Sequence, residues 1–325
     1  MGLRSFSSLV LSSFLAAASS TYSLQDALLV DCFAPPDPTL DLYLTRWMGS
    51  FGLPPPPLIA HKQSARDGPA IGECKSLLVS SLCTPREKAI FMAASAPHSA
   101  AWVGALPIAS CGLRLDDEAV RVAIAFRLGL QVCNPHVFRC GSSVDAWGSH
   151  ALVCKVAPGR TTRHHALNDI ISRAVASADY PIDKEPSGLI SGSGKRPDGA
   201  TQIPMRNGKY LAWDVTVATT LAESYLAASS TLSGSAANMI AARKVDKYRD
   251  LPSRFTFQPI AFENLGPASS STAEFLGFLG RRISLVSGED KEEAYLWQRI
   301  SLCLQRFNAI LVHQSFKPPP TESDE

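Results

Sequence analysis

Two carboxylates and the cations that follow them carry the most pointed chemistry in this chain. Asp198 lies in Lys195-Arg196-Pro197-Asp198-Gly199, and Asp214 lies inside the apolar run Trp213-Asp214-Val215-Thr216. Lysines follow at Lys244 and Lys247, with Tyr248 beside the second. Two acids that meet on one surface offer hard oxygen ligands to a divalent cation, and lysines nearby can offset charge on a phosphate. This inventory suggests a metal-dependent nuclease.

A second group is of a different kind. Cys133, His136, Cys140, His150 and Cys154 fall close together, and Cys140-x9-His150-x3-Cys154 supplies three ligands of the types that tetrahedral zinc takes. The fourth would be Cys133 or His136, and the alternative is a cysteine-rich loop that holds no metal. A third group, Arg163, His164, His165, Asn168 and Asp169, crowds the start of an amphipathic helix. It reads either as a solvated helix entrance or as a polar rim that puts Arg163 and His164 near a phosphate.

The elements that must position these residues follow from periodicity. Segments 200–203 and 210–217 flank Asn207-Gly208, a dipeptide suited to a type I′ hairpin turn, in which both central residues take positive φ. On the second strand Leu211, Trp213, Val215 and Val217 share one face, so Asp214 and Thr216 share the other with Ala212 and Ala218. A strict two-residue loop would pair position 198 with 217 and turn Asp198 to the wrong face. The acids meet only if the hairpin carries an irregularity, which is expected at Pro204.

Downstream, a helix over 236–251 places Ile240, Lys244, Lys247, Tyr248 and Leu251 on one face. Upstream, a helix opening at Thr161 carries the stripe Leu167, Ile170, Ile171, Ala174, Val175 and Ala178. Strands are expected over 180–185 and 255–263. Helices over 272–285 and 289–312 read as covering layers.

The part before residue 131 reads as all-helical. Helices are expected over 24–33, 40–48, 86–95 and 120–128, the last opened by Asp116-Asp117-Glu118, and Pro54 to Pro57 forms a stiff spacer. The fold class is therefore α+β. The expected organisation is a helical connector over 1–113, a helix with a zinc-knuckle-like loop over 114–160, a mixed sheet flanked by helices over 161–316, and a disordered acidic tail over 317–325.

A formal charge of +2 in 325 residues excludes a globally basic nucleic-acid binder, so any such surface is local. Lys195, Arg196, Arg206, Lys209, Arg243, Lys244, Lys247, Arg249 and Arg254 concentrate around the acid pair. No apolar run is long enough for a membrane helix. The start imitates a secretory signal, but its serines dilute the apolar segment and an ordinary helix is preferred, with a nuclear or cytoplasmic location. Eight cysteines permit disulfides, yet most stand singly in apolar runs, which favours free thiols and a reducing compartment.

Taken in order, Cys140-Gly141, Gly148-Ser149-His150-Ala151-Leu152-Val153-Cys154, Arg163-His164-His165-Ala166-Leu167-Asn168-Asp169, Lys195 to Gly199 and Trp213 to Thr216 resemble a known pattern. It is the C-terminal endonuclease region of non-LTR retrotransposon reverse-transcriptase proteins, which joins a zinc-knuckle-like cluster to a restriction-like endonuclease of the PD-(D/E)xK type. The similarity covers roughly residues 100–312. Upstream, Gly2 to Ser5, Leu106-Pro107 and Arg127-Leu128-Gly129 resemble the connector after the polymerase, of which no active site is present.

The resemblance implies Mg²⁺ held by Asp198 and Asp214, with Glu185 as an auxiliary acid, and structural Zn²⁺. DNA is the implied partner and RNA a further candidate, contacted by Arg163, His164, Lys195, Arg196 and Arg243. Two positions depart from the pattern. Phe138 stands where the family has a zinc-binding cysteine, and Thr216 stands where the Asp/Glu-x-Lys lysine belongs, which moves that role to Lys244 or Lys247 on the next helix. A nucleic-acid-binding remnant without catalysis is the alternative.

Overall fold

The computed structural model describes residues 6–28, 37–190 and 194–316, which divide into two compact units between Leu82 and Cys83. The expected boundaries at 113 and 160 fall inside the second unit. The tail at 317–325, the Gly2 to Ser5 stretch, and parts of the expected 24–33 helix and the 187–194 loop lie outside the described residues.

Among its described residues the first unit contains the α-helices α1 (Phe6–Leu28), α2 (Pro38–Phe51) and α3 (Gln63–Ser81). Asp37 caps α2 by accepting from the Thr39 amide, and Pro38 suits the first helical position, where no N–H is needed. Leu15, Ala16 and Trp47 are buried, and the Arg66 guanidinium reaches the Ser19 hydroxyl at 3.0 Å. Among the described residues no helix is long and apolar enough to cross a membrane.

The second unit is mixed α and β. It runs through α4 (Pro85–Ala94), α5 (Asp117–Leu128), the short pair β1 (His136–Val137) and β2 (Ser143–Val144), α6 (Ser149–Val153) and α7 (Gly159–Ser177). Then come β3 (Ile182–Lys184), β4 (Gly199–Thr201), β5 (Tyr210–Ala218), α8 (Glu223–Ser229), α9 (Ser235–Lys247), β6 (Phe255–Glu263), α10 (Ser270–Ser287) and α11 (Glu292–His313). Local signals set several ends. Thr84 and Glu87 form a capping box at α4, while Asp116 caps α5 and Gly129 ends it in the left-handed conformation.

The four-stranded sheet has the order β3-β4-β5-β6, antiparallel except for the parallel β5/β6 pair. Strand parity holds as read. Leu211, Trp213 and Val215 of β5, with Ile260 and Phe262 of β6, pack against Leu167, Ile171 and Val175 of α7, Phe275 and Leu279 of α10, and Leu296, Ile300 and Leu304 of α11. The opposite face meets α9 through Ala237, Ala241 and Ala261, small residues that let the helix lie close to the strands.

Helix α11 is not a covering layer. Its Leu296, Ile300 and Leu304 fill the sheet core, while Ala309, Leu311 and Val312 join a second core with Ile90, Val122, Phe126, Phe138, Leu152 and Cys154. One helix therefore ties the sheet to α4, α5 and the cysteine-rich loop.

Candidate active site and metal cluster

The β4–β5 hairpin brings the two acids together through the irregularity that parity requires. At the turn Asn207 (φ 51°) and Gly208 (φ 70°) are both left-handed, and Arg206 bridges Lys209. Further along, Gly199 pairs with Trp213 and Ala200 with Ala212, a register offset by three residues from the turn pair. The extra residues lie on the first strand beyond Thr201, in the segment that contains Pro204. This offset places Asp198 opposite Asp214. The Asp198 amide donates to the Trp213 carbonyl at 2.9 Å, and Asp198 Oδ2 accepts from the Val215 amide at 2.5 Å.

The side chain of Asp214 is 3% exposed and is surrounded by donors from the C-terminal end of α9 and its cap. Lys244 Nζ pairs with its Oδ1, Lys247 Nζ lies 3.4 Å from Oδ2, and the Tyr248 hydroxyl lies 2.6 Å from Oδ2. Lys244 and Lys247 lie in the last turn of α9 and Tyr248 is its C-cap, so one helix end delivers all three. Burial and the Asp214 charge push the Tyr248 hydroxyl far above its ordinary value, so it stays protonated and serves as a donor.

Asp198 is served from α7. His164 Nε2 lies 3.2 Å from Asp198 Oδ1, and this bond, opposed by burial, raises the imidazole above its ordinary value, with the Asp198 and Asp214 charges adding to it. Buried Asn168 donates to the Asp198 carbonyl at 3.0 Å and accepts from the Trp213 indole at 2.9 Å. Gly199 is required here because a Cβ would collide with the Trp213 ring.

Two supports were not legible as functional. Asn168 reads in the sequence as one more polar residue at a helix start. Glu263, fully buried at the end of β6, accepts from the Ala236 amide at 3.1 Å, the Ala237 amide at 3.4 Å and the Thr220 hydroxyl at 2.9 Å. It thereby anchors the N-terminus of the helix that carries the lysines, and burial pushes its carboxyl up.

The remaining candidates are placed elsewhere. Glu185 does not stand free as an auxiliary acid: its carboxylate lies 2.5 Å from the Arg196 guanidinium, although its amide donates to the Asp198 carbonyl at 3.1 Å. Lys195 Nζ lies 3.4 Å from Asp250, and Arg243 bonds the Tyr225 hydroxyl at 2.9 Å. Arg163 is not on an exposed rim; it is 3% exposed. With Lys155, Arg160, Thr161, His164, Thr216 and Lys244 it lines a cleft of about 530 Å³ beside the acids.

The second cluster assembles with three members. The ligand atoms of Cys140, His150 and Cys154 lie within 4.8 Å of one another, so the group could hold a metal ion such as zinc. The Cys140 and Cys154 sulfurs are 3.7 Å apart, too far for a disulfide and close to the edge of about 3.8 Å that Zn–S bonds of about 2.3 Å give in a tetrahedron. Hydrogen bonds, Ser142 foremost, pull the Cys140 thiol down to about 6, which favours the ligating thiolate. Cys74, Cys111, Cys133, Cys140, Cys154 and Cys303 form no disulfide.

The expected fourth ligand is not among them. Cys133 Sγ lies 3.4 Å from the Asp145 carbonyl. The His136 ring nitrogens lie 2.8 Å from the Asn134 carbonyl and 2.7 Å from the Ser315 hydroxyl, and the ring stacks on Phe316. Phe138 is buried in the second core with its ring edge-on to His150.

The chain matches no known protein-family model, and no curated protein gives a significant match.

Proposed function

We propose that this chain is a metal-dependent DNA endonuclease with a PD-(D/E)xK-like site, akin to the endonuclease region of non-LTR retrotransposon proteins. The observation that carries the reading is the placement of Asp198 and Asp214 opposite each other on the hairpin, with Lys244 and Lys247 of α9 at Asp214. Thr216 lines the cleft where an Asp/Glu-x-Lys lysine would stand, and the α9 lysines supply the cation instead.

Two carboxylates are the hard oxygen ligands that Mg²⁺ takes beside its waters, and to hold the ion Asp214 would release at least one of its donors Lys244, Lys247 and Tyr248. When bound there, Mg²⁺ supplies polarisation of the scissile phosphate and acidification of a water. The other roles belong to the chain. Asn168 and Tyr248 fix the two acids, and the lysines offset charge as it builds on phosphate oxygens. In hydrolysis the water oxygen bonds to phosphorus and gives up a proton to solvent, the phosphorus–oxygen bond to the departing strand end breaks, and the departing oxygen takes up a proton. His164, whose imidazole the bond to Asp198 raises above its ordinary value, is the proposed donor.

One observation favours the alternative of a nucleic-acid-binding remnant without catalysis. Asp214 already receives three donors, as a purely structural ion pair would. Nicking of supercoiled DNA separates the two. The endonuclease reading expects Mg²⁺-dependent nicking that EDTA stops and Asp214→Asn reduces by about 100-fold or more. Tight DNA binding with no nicking in Mg²⁺ contradicts it.

A further inference from the structure

The cleft beside the acid pair contains a charge that no described residue neutralises. Arg163 is buried, and its Nε and Nη1 have no hydrogen-bond partner. Its electrostatic neighbours are Arg160 and Cys303. The first repels it, and burial pushes the Cys303 thiol up to about 12, so that group stays neutral. A buried guanidinium is normally paired, because an isolated charge away from water is costly. The described residues lining the cleft include no Asp or Glu; they add Lys155, Arg160, His164 and Lys244 to Arg163.

We propose that this cleft is a phosphate subsite for the nucleic-acid backbone, independent of metal, with Arg163 as its buried anchor. The planar fork of Arg suits phosphate oxygens, and the anion would provide the missing counter-charge. Two residues tie the subsite to the acids. His164 lines the cleft and bonds Asp198; Lys244 lines it and pairs with Asp214. A phosphate seated there lies next to the partners of both carboxylates, which sets the register of the strand on the reactive pair. The inference rests on the nuclease reading only in taking the phosphate to be that of a nucleic acid.

The test uses the full chain in EDTA, with inorganic phosphate as the probe, read by thermal shift and by the NMR signal of the Arg163 side chain. Phosphate is expected to raise Tm by several degrees and to move that signal. Arg163→Met, which replaces an unpaired buried charge by an apolar chain of similar length, is expected to melt no lower than wild type without phosphate and to lose the phosphate shift. Lys155→Gln, an exposed change, is expected to keep the fold and weaken phosphate binding severalfold. A short oligonucleotide without terminal phosphates is expected to displace the probe.

No phosphate shift in wild type, an unchanged shift in Arg163→Met, or failure of the oligonucleotide to displace phosphate overturns the proposal. So does Lys155→Gln with unchanged phosphate affinity. Its failure is separable from that of the nuclease reading. Phosphate binding in EDTA without nicking in Mg²⁺ removes the enzyme and leaves the subsite, and nicking by a chain blind to phosphate does the reverse.

Discussion

His164 is the residue whose titration reports most directly on the acid pair. Its folded pKa is raised, chiefly by the bond to Asp198, above an unfolded value of about 6.5. The sign follows from linkage. The stability it contributes is fully present below the unfolded pKa and is lost as pH rises through the folded one. An NMR titration is therefore expected to find His164 above its ordinary value and to find it lowered in Asp198→Asn; an unshifted His164 would break the link. The acids and lysines were legible in sequence because residue type and strand or helix parity suffice to group them. Placing Arg163 and His164 near a phosphate is one of the two readings that the helix start allows, but the burial of Arg163 and the bond that Asn168 accepts from the Trp213 indole were not legible, since both depend on elements distant in sequence packing against that helix.

At the scale of elements, α9 is aimed from its far end. Glu263→Ala leaves two amides and the Thr220 hydroxyl without their buried acceptor, with an expected cost of about 1–3 kcal/mol in chemical denaturation. Nicking should fall further than stability accounts for, because Lys244 and Lys247 ride on that helix. The cysteine-rich loop makes a second prediction. With Cys140, His150 and Cys154 as the ligands, Cys140→Ser is expected to lose bound zinc, while His136→Ala and Cys133→Ser keep it, as counted by metal analysis of purified protein. Retention by Cys140→Ser, or loss in His136→Ala, would refute that ligand set.

Spacing could name three ligands because a turn of chain joins them. It could not decide between Cys133 and His136, whose directions are set by the Asp145 carbonyl and by Ser315 at the distant end of α11. The hairpin irregularity, in contrast, was legible at Pro204, because only a shift of register lets position 198 face 214.

At the scale of the whole chain, the organisation follows α11 more than the order of segments. A periodic apolar stripe told that this helix packs, but not that it serves two cores, because that depends on long-range contacts with α4, α5 and the sheet. The boundary between Leu82 and Cys83 predicts that residues 83–316 fold without the first unit, seen as one cooperative thermal transition of the isolated fragment. A fragment lacking such a transition contradicts this division.

Asp198 and Asp214 are proposed to act as one reactive pair. Single-turnover nicking of supercoiled DNA in Mg²⁺ by wild type and Asp198→Asn tests it most directly. Wild type is expected to nick, and Asp198→Asn to lose about 100-fold or more of that activity while keeping its fold by circular dichroism. Equal nicking by the folded variant, or none by wild type, would contradict it.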